Sequence, residues 1–315
     1  MKILVTGVAG FIGSATASLL LDMGAEVVGI DNLSAGSLKN VPEGVEFYEM
    51  NVSNSSISSL LTGVHACIHF AAFINSSESQ KYPNSYYRNN IGETLILFDS
   101  LERANVNKIV FSSSAAVYGD ASSQKISEKT ATNPTSVYGE TKLYIDNILD
   151  SLAKIKTFRS VSLRYFNAAG SYKNLPEEHR NESHLIPLAV DAALGMRSEL
   201  PLYGNNYTTP DGTCIRDYVH VEDIARAHIM AIEYLNENFR LTANLGTGKG
   251  FSNLEIIKAV ERCVGKKVPY YVAERREGDP AVLVAENFVA EQKLKWTPKK
   301  SLLDAVSDCV KSKLH

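Results

Sequence analysis

The sequence predicts an α/β protein, built on a doubly wound parallel sheet with a smaller mixed α/β domain packed against it. Three observations carry this. A glycine-rich turn, Gly7-Val8-Ala9-Gly10-Phe11-Ile12-Gly13, separates the first apolar run from a helical stretch. Short apolar runs then alternate with longer helical patterns, which implies right-handed βαβ units. The runs Ile3-Leu4-Val5 and Val27-Val28-Gly29-Ile30 are continuously apolar. That suits strands buried on both faces of a Rossmann-like sheet.

Taken in order, strands are expected at Lys2–Thr6, Glu26–Asp31, Glu46–Met50, Ala66–Phe70, Lys108–Ser112 and Ser160–Phe166. Helical stretches lie between several of them, at Phe11–Met23, Tyr86–Arg103 and Thr135–Ala153. The second half is less regular. Asn174–Ser183 is polar and reads as a loop, and Leu185–Leu194 as a helix. Thr209-Pro210-Asp211-Gly212 is a turn signal. Val221–Glu233 and Leu254–Val264 read as helices, the latter capped by Ser252 or Asn253 with Glu255 in its first turn. A last helix, Leu302–Lys311, follows Trp296-Thr297-Pro298. No repeat or Gly/Ser linker divides the chain. Residues 1–166 are expected to form the Rossmann-like domain. Residues 167–315 should form mainly the second domain, with some segments returning to the first sheet. Ligands of open α/β sheets sit in the cleft this leaves.

Composition excludes several classes. The chain has 315 residues, 44% hydrophobic and 21% charged, with net charge -3. Such a balance gives no broad field for nucleic acid or an anionic membrane. Met1-Lys2-Ile3-Leu4-Val5 runs straight into the glycine turn, as a first strand does and a signal peptide does not. No run approaches the ~18 apolar residues that span a bilayer. Cys67, Cys214, Cys263 and Cys309 form no Cys-x-x-Cys pair and read as reduced thiols of a cytoplasmic protein. The seven histidines form no ligand cluster, so no metal is expected.

The glycine turn has a chemical meaning. Glycines allow a tight turn and close approach of backbone N–H groups to a pyrophosphate, which then faces a helix N-terminus. Asp31 ends the second strand, where a carboxylate accepts from adenosine ribose hydroxyls and repels an extra phosphate. No arginine is adjacent. The expected cofactor is therefore NAD, held in part by Gly7, Gly10, Gly13 and Asp31.

Tyr138 and Lys142 stand four residues apart, on one face of an expected helix. A cation about 4 Å from a phenol, at an effective dielectric near ~20, is worth roughly 4 kcal/mol. That is enough to bring a phenol with a pKa near ~10 into the neutral range. Such a group can take a hydroxyl proton while a hydride leaves the same carbon.

Together the glycine turn, Asp31-Asn32, Ser112-Ser113-Ser114 at a strand end and Tyr138…Lys142 resemble the extended short-chain dehydrogenase/reductase superfamily. Further segments narrow the resemblance to the UDP-glucose (UDP-galactose) 4-epimerase family. They are Phe111-Ser112-Ser113-Ser114-Ala115-Ala116-Val117-Tyr118-Gly119, Arg164-Tyr165-Phe166-Asn167-Ala168-Ala169-Gly170, the run from Thr209 to Val221, Asn244-Leu245-Gly246 and Arg275-Arg276-Glu277-Gly278-Asp279. The resemblance implies an NAD-dependent enzyme that inverts carbon four of a UDP-hexose through a transient 4-keto sugar. Tyr138 would be the base, Ser114 would bridge the sugar hydroxyl to the phenol, and Lys142 would hold the nicotinamide ribose. It places Phe11 and Ile12 at the pyrophosphate, and Asp31, Asn32 and Ser34 around the adenosine ribose. Phe70, Ala71 and Ala72 follow the fourth strand; Asn89 and Phe166 lie near the nicotinamide half. Asn51-Val52 stands where an Asp usually meets the adenine amino group, and Ile74 where some members have a lysine. Glu93 replaces a common glycine.

For the UDP-sugar, the resemblance makes Arg216 and Arg276 diphosphate clamps, since a planar guanidinium can bond two oxygens at once. Asn167 would bond the diphosphate or sugar. His184 and Leu185 would start a helix leaning on the nucleotide, with Tyr203 beside the uracil and Asp279 on a ribose hydroxyl. Val282 is placed against the sugar's carbon-two substituent, where some members have tyrosine. The extra room leads to an expected tolerance of UDP-GlcNAc and UDP-GalNAc. Relatives also suggest a homodimer through the helices around Tyr86–Arg103 and Thr135–Ala153.

Related 4,6-dehydratases need an acid/base pair after the serine strand, and Ser114-Ala115-Ala116 supplies none. Epimerases of pentose or uronic acid sugars share these motifs and remain open. An NAD-sensing regulator without chemistry is the alternative of another class.

Overall fold

The computed structural model describes every residue except 122–124, 174, 176, 178–181, 277, 278 and 315. Its first half alternates strands β1 (Lys2–Thr6), β2 (Glu26–Asp31), β3 (Glu46–Glu49), β4 (Val64–His69), β5 (Lys108–Ser114) and β6 (Arg159–Tyr165) with helices. These are α1 (Phe11–Asp22), α2 (Ile57–Leu60), α3 (Ser76–Lys81), α4 (Pro83–Tyr87), α5 (Thr94–Arg103) and α6 (Val137–Lys154). The second half holds β7 (Asn167–Ala169), α7 (Leu185–Leu194), β8 (Leu200–Tyr203), β9 (Ile215–Arg216), β10 (Tyr218–His220) and α8 (Val221–Tyr234). It continues through β11 (Arg240–Leu245), β12 (Phe251–Ser252), α9 (Asn253–Val264), β13 (Tyr270–Ala273), β14 (Val282–Leu283) and α10 (Leu302–Leu314).

Among the described residues, the main sheet has seven parallel strands in the order β11-β6-β5-β4-β1-β2-β3. Strand alternation divides its apolar side chains between two faces. Ile3 and Val5 join Ala17, Leu20, Ile224 and Ile232 in the cluster under α1 and α8. Leu4 instead joins Leu97, Leu101, Ile145 and Leu149 under α5 and α6. The sheet is thus covered on both sides, as its uninterrupted apolar strands require. β11 comes from the second half of the chain and forms the sheet edge beside β6.

Beyond this sheet, β7 pairs with β10, β8 with β13, and β9 lies between β12 and β14. Helices α7, α9 and α10 enclose a separate core of Ile186, Leu200, Ile256, Val260 and Val306.

Two helix boundaries differ from expectation for local reasons. Ser136 caps α6, accepting from the Gly139 N–H at 3.1 Å, so the helix starts at Val137 and not at Thr135. The stretch expected at Tyr86–Arg103 starts at Pro83, a residue suited to the first helical turn. It also contains a π-helical turn, Arg88–Glu93. Several residues of the polar loop expected at Asn174–Ser183 lie outside the described residues. No described helix is long and apolar enough to cross a membrane, and all four cysteines are thiols.

Candidate active site

The glycine turn is closed on itself. Gly7 has φ 72°, in the left-handed region that favours glycine. A Cβ there would stand 2.7 Å from the Ala71 nitrogen, and one on Gly13 would drive into the Gly7 carbonyl. Gly10 caps α1 without a side-chain hydrogen bond. The free N–H groups of the first turn therefore need an outside acceptor, and they border a cleft of about 310 Å³. Gly7, Gly10, Phe11, Ile12 and Gly13 line it on one side. Asp31 fixes the next part: its carboxylate accepts from the Ala9 N–H at 3.0 Å and the Leu33 N–H at 2.8 Å. Burial pushes its pKa up, while these backbone donors pull it down. Asn32, Ser34, Asn51 and Val52 continue the wall, and Phe70, Ala71, Ala72, Asn89 and Phe166 face them. A glycine cradle, unsatisfied helix N–H groups and an anchored carboxylate fit an adenine dinucleotide.

Ser114 and Tyr138 line the same cleft. They come from different elements: Ser114 ends β5, and Tyr138 is in the first turn of α6. The two elements approach closely because Gly139 lacks a side chain; a Cβ there would sit 2.6 Å from the Ala116 carbonyl oxygen. The Tyr138 N–H also donates to Ser79 Oγ of α3 at 3.1 Å. The Ser114 hydroxyl is close enough to the Tyr138 phenol to pull its pKa down.

Lys142 stands behind this pair and is 2% exposed. Its Nζ donates to the Ser112 carbonyl at 2.7 Å and lies 5.8 Å from the centre of the Tyr138 ring. One turn further along α6, Asp146 is also buried. It accepts from Ser113 Oγ at 3.0 Å and pairs with Arg164 at 2.9 Å. Arg164 in turn donates to the Tyr118 hydroxyl at 3.0 Å. Lys142 and Asp146 thus dock onto consecutive residues of β5.

A second cleft of about 990 Å³ continues from the first through Asn167, Ala168 and His184, which line both. Leu185, Tyr203, Arg216, Arg276 and Asp279 belong to its wall. Arg216, 7% exposed, forms an ion pair with Asp279. The Arg276 guanidinium stacks 4.1 Å from the Tyr203 ring centre. Asp217, between β9 and β10, accepts from Thr247, Gly248 and Ala285, and so ties Arg216 to the end of the main sheet.

The comparisons with known proteins agree with this geometry. Residues 3–246 match the model of the NAD dependent epimerase/dehydratase family. The chain belongs to this family. It is 41% identical to the UDP-glucose 4-epimerase of Streptomyces lividans, over 98% of this chain and 94% of that protein. The corresponding Bacillus subtilis enzyme is also 41% identical, over 98% and 95%. A crystal structure of the UDP-glucose 4-epimerase from Brucella ovis in complex with NAD superposes with a TM-score of 0.92 at 42% identity, covering 98% of this chain and 97% of that one. The Bifidobacterium longum enzyme in complex with NAD+ and UDP gives 0.94 at 35% identity, covering 100% and 98%.

Within this epimerase/dehydratase fold, most residues singled out in the sequence line the two joined clefts. Three findings differ from expectation. Burial pushes the Tyr138 phenol up, and only the Ser114 hydrogen bond pulls it down. Lys142 is itself lowered to about 7, by burial and against the pull of Asp146. The downward shift expected for Tyr138 is therefore not found: burial outweighs the pull of Ser114, and Lys142 Nζ is directed to the Ser112 carbonyl. Val282 lies on β14, register partner of Ile215, and lines neither cleft. Room for a 2-acetamido group does not follow from it. Glu277 and Gly278 of the arginine motif lie outside the described residues.

Sequence reasoning missed Ser79, Asp146 and the Arg164–Tyr118 link. Asp146 had a signal: it is four residues after Lys142 on the same helix face. It also missed Glu177 and Glu182 around His184, at 3.2 and 2.7 Å. The three ligand-type atoms lie within 4.8 Å of one another, and their ion pairing accounts for that proximity. Burial works against charge on His184, but Glu177 and Glu182 overcome it and raise its pKa to about 9. The folded value thus exceeds the ordinary 6.5. Protonation stabilises the folded chain fully below about 6.5, and the contribution fades as pH rises through about 9. His184→Asn is expected to lower thermal stability at pH 6, with the difference from wild type closing between these values. With 41% of the side chain exposed, the difference should stay within about 1 kcal/mol. Melting curves at pH 6, 8 and 10 measure it.

Proposed function

We propose that this chain interconverts UDP-galactose and UDP-glucose by inverting carbon four, with NAD retained through the cycle. The observation that carries the reading is the Tyr138–Ser114 pair at the dinucleotide cleft, where that cleft opens into a second one walled by Arg216 and Arg276. Bound NAD supplies a reversible hydride acceptor. Gly7 to Gly13 hold its pyrophosphate, Asp31 its adenosine ribose, and Lys142 its nicotinamide ribose. Tyr138 takes the proton of the sugar's 4-hydroxyl and later returns it. Ser114 bridges that hydroxyl and the phenol. Arg216 and Arg276 neutralise the diphosphate, with Asn167 and the start of α7 alongside. Tyr203 flanks the uracil, and Asp279, already paired with Arg216, meets a ribose hydroxyl. While the nucleotide stays anchored, the 4-keto sugar turns and presents its other face. The reaction is redox-neutral, so no external reductant is required.

Leu95 and Ile96 of α5 and Tyr144 of α6 are exposed apolar groups, 40%, 48% and 51% accessible. A homodimer packed through these helices would cover them. The absence of a membrane-crossing helix among the described residues is compatible with a cytoplasmic enzyme.

The purified protein, with no cofactor added, is expected to convert UDP-galactose to UDP-glucose and to release NAD on denaturation. Chromatography reads both. Release of NAD with no hexose conversion, but turnover of a pentose or uronic acid UDP-sugar, would move the substrate to that class. The absence of both conversion and bound NAD would overturn the reading.

A further inference from the structure

We propose that Glu93 recognises the exocyclic amino group of the cofactor's adenine. Glu93 closes the π-helical turn Arg88–Glu93, is half-buried and lines the dinucleotide cleft. Its carboxylate makes no hydrogen bond or ion pair with any described residue. A carboxylate facing a cleft built for a pyrophosphate is unfavourable unless the ligand brings it a donor. The dinucleotide has two such N–H donors, the adenine amino group and the nicotinamide amide, and the position of Glu93 selects the adenine.

Its placement points to the same end. Asp31 on β2 pairs with Glu49 on β3, and the wall beyond Asp31 is therefore Met50, Asn51 and Val52. Val52 shares a buried cluster with Leu97. Leu97 lies one turn after Glu93 on the same helix face, and Asn89, which also lines the cleft, lies about one turn before. Glu93 is thus held over the stretch of cleft that Val52 floors. Asn51, on the same wall, has its amide oxygen engaged by Asn32 Nδ2 at 2.6 Å. An amide oxygen is also a weaker acceptor than a carboxylate. Glu93 supplies the acceptor that Asn51 provides only in part. The π turn, with its extra residue, is what aims this position into the cleft.

The inference rests on the NAD reading, and the test separates the two. Holoenzyme is equilibrated with equal excesses of NAD and its hypoxanthine analogue, which carries a carbonyl in place of the amino group. The retained dinucleotides are then released and quantified. Wild type is expected to retain NAD about tenfold over the analogue. Glu93→Ala and Glu93→Gln should bring the ratio close to one, the latter because an amide can turn to face either group. Melting curves confirm that both variants are folded. An unchanged ratio in both variants, or equally tighter retention of both dinucleotides, overturns the assignment. A wild type that retains neither overturns the dinucleotide reading beneath it.

Discussion

Tyr138→Phe is expected to lower epimerase turnover by about 10³-fold or more while leaving bound NAD in place. In the proposed mechanism the phenol oxygen accepts the proton, and no other described group at the Ser114 side of the cleft can take over. Ser114 is a poor base, and Lys142 is turned to the Ser112 carbonyl. Removing one oxygen leaves the ring, the Ser136 cap and the Ser79 contact intact, so the dinucleotide cleft keeps its shape. The measurement is UDP-galactose conversion against NAD released per chain. A variant that converts substrate at the wild-type rate would remove Tyr138 from the mechanism. Burial sets Tyr138 and Lys142 toward their neutral forms.

Asp146→Ala is expected to destabilise the fold by about 3–5 kcal/mol. Asp146 and Arg164 have side chains only 2% and 9% exposed. Deleting the carboxylate leaves a guanidinium buried with the Tyr118 hydroxyl as its remaining side-chain partner, and it strips Ser113 of its acceptor. Urea unfolding of the two proteins measures the loss. The double variant Asp146→Leu, Arg164→Met should recover much of it, because removing both charges is far less costly than removing one. A single variant within 1 kcal/mol of wild type would show that water reaches the pair. Loss of Asp146 also removes the negative charge that favours protonated Lys142. The folded double variant is accordingly expected to turn over more slowly than wild type.

The first half of the fold was legible because one rule governed it: strands buried on both faces are continuously apolar, and their helices carry apolar residues on one side. The second half was harder, since strands as short as β9, β12 and β14, at two residues each, leave no periodicity to read. The cofactor wall was legible from Gly7 to Asp31 because glycines and a lone carboxylate have few other uses at a strand–helix turn. The direction of the Tyr138 pKa shift was not legible. Sequence spacing gives the face of a helix, but it does not say that Lys142 turns to the Ser112 carbonyl, nor how little water reaches either group. Val282 failed for a related reason. A motif position fixes its place along the chain, and on β14 Val282 falls outside the residues that line the two clefts. Asp146 was readable in principle, four residues past Lys142, but its partner Arg164 is far off in sequence and meets it only in the folded sheet.

The strand β11 has a consequence for how the molecule can be divided. Because the outermost position beside β6 is filled from late in the chain, residues 1–166 made alone would present a bare row of β6 amides and carbonyls. Such a rim recruits whatever extended peptide is near, and clumping would compete with folding. A nick in a connecting loop, by contrast, would leave two fragments stitched together through β6 and β11, so cleavage and dissociation should be separate events.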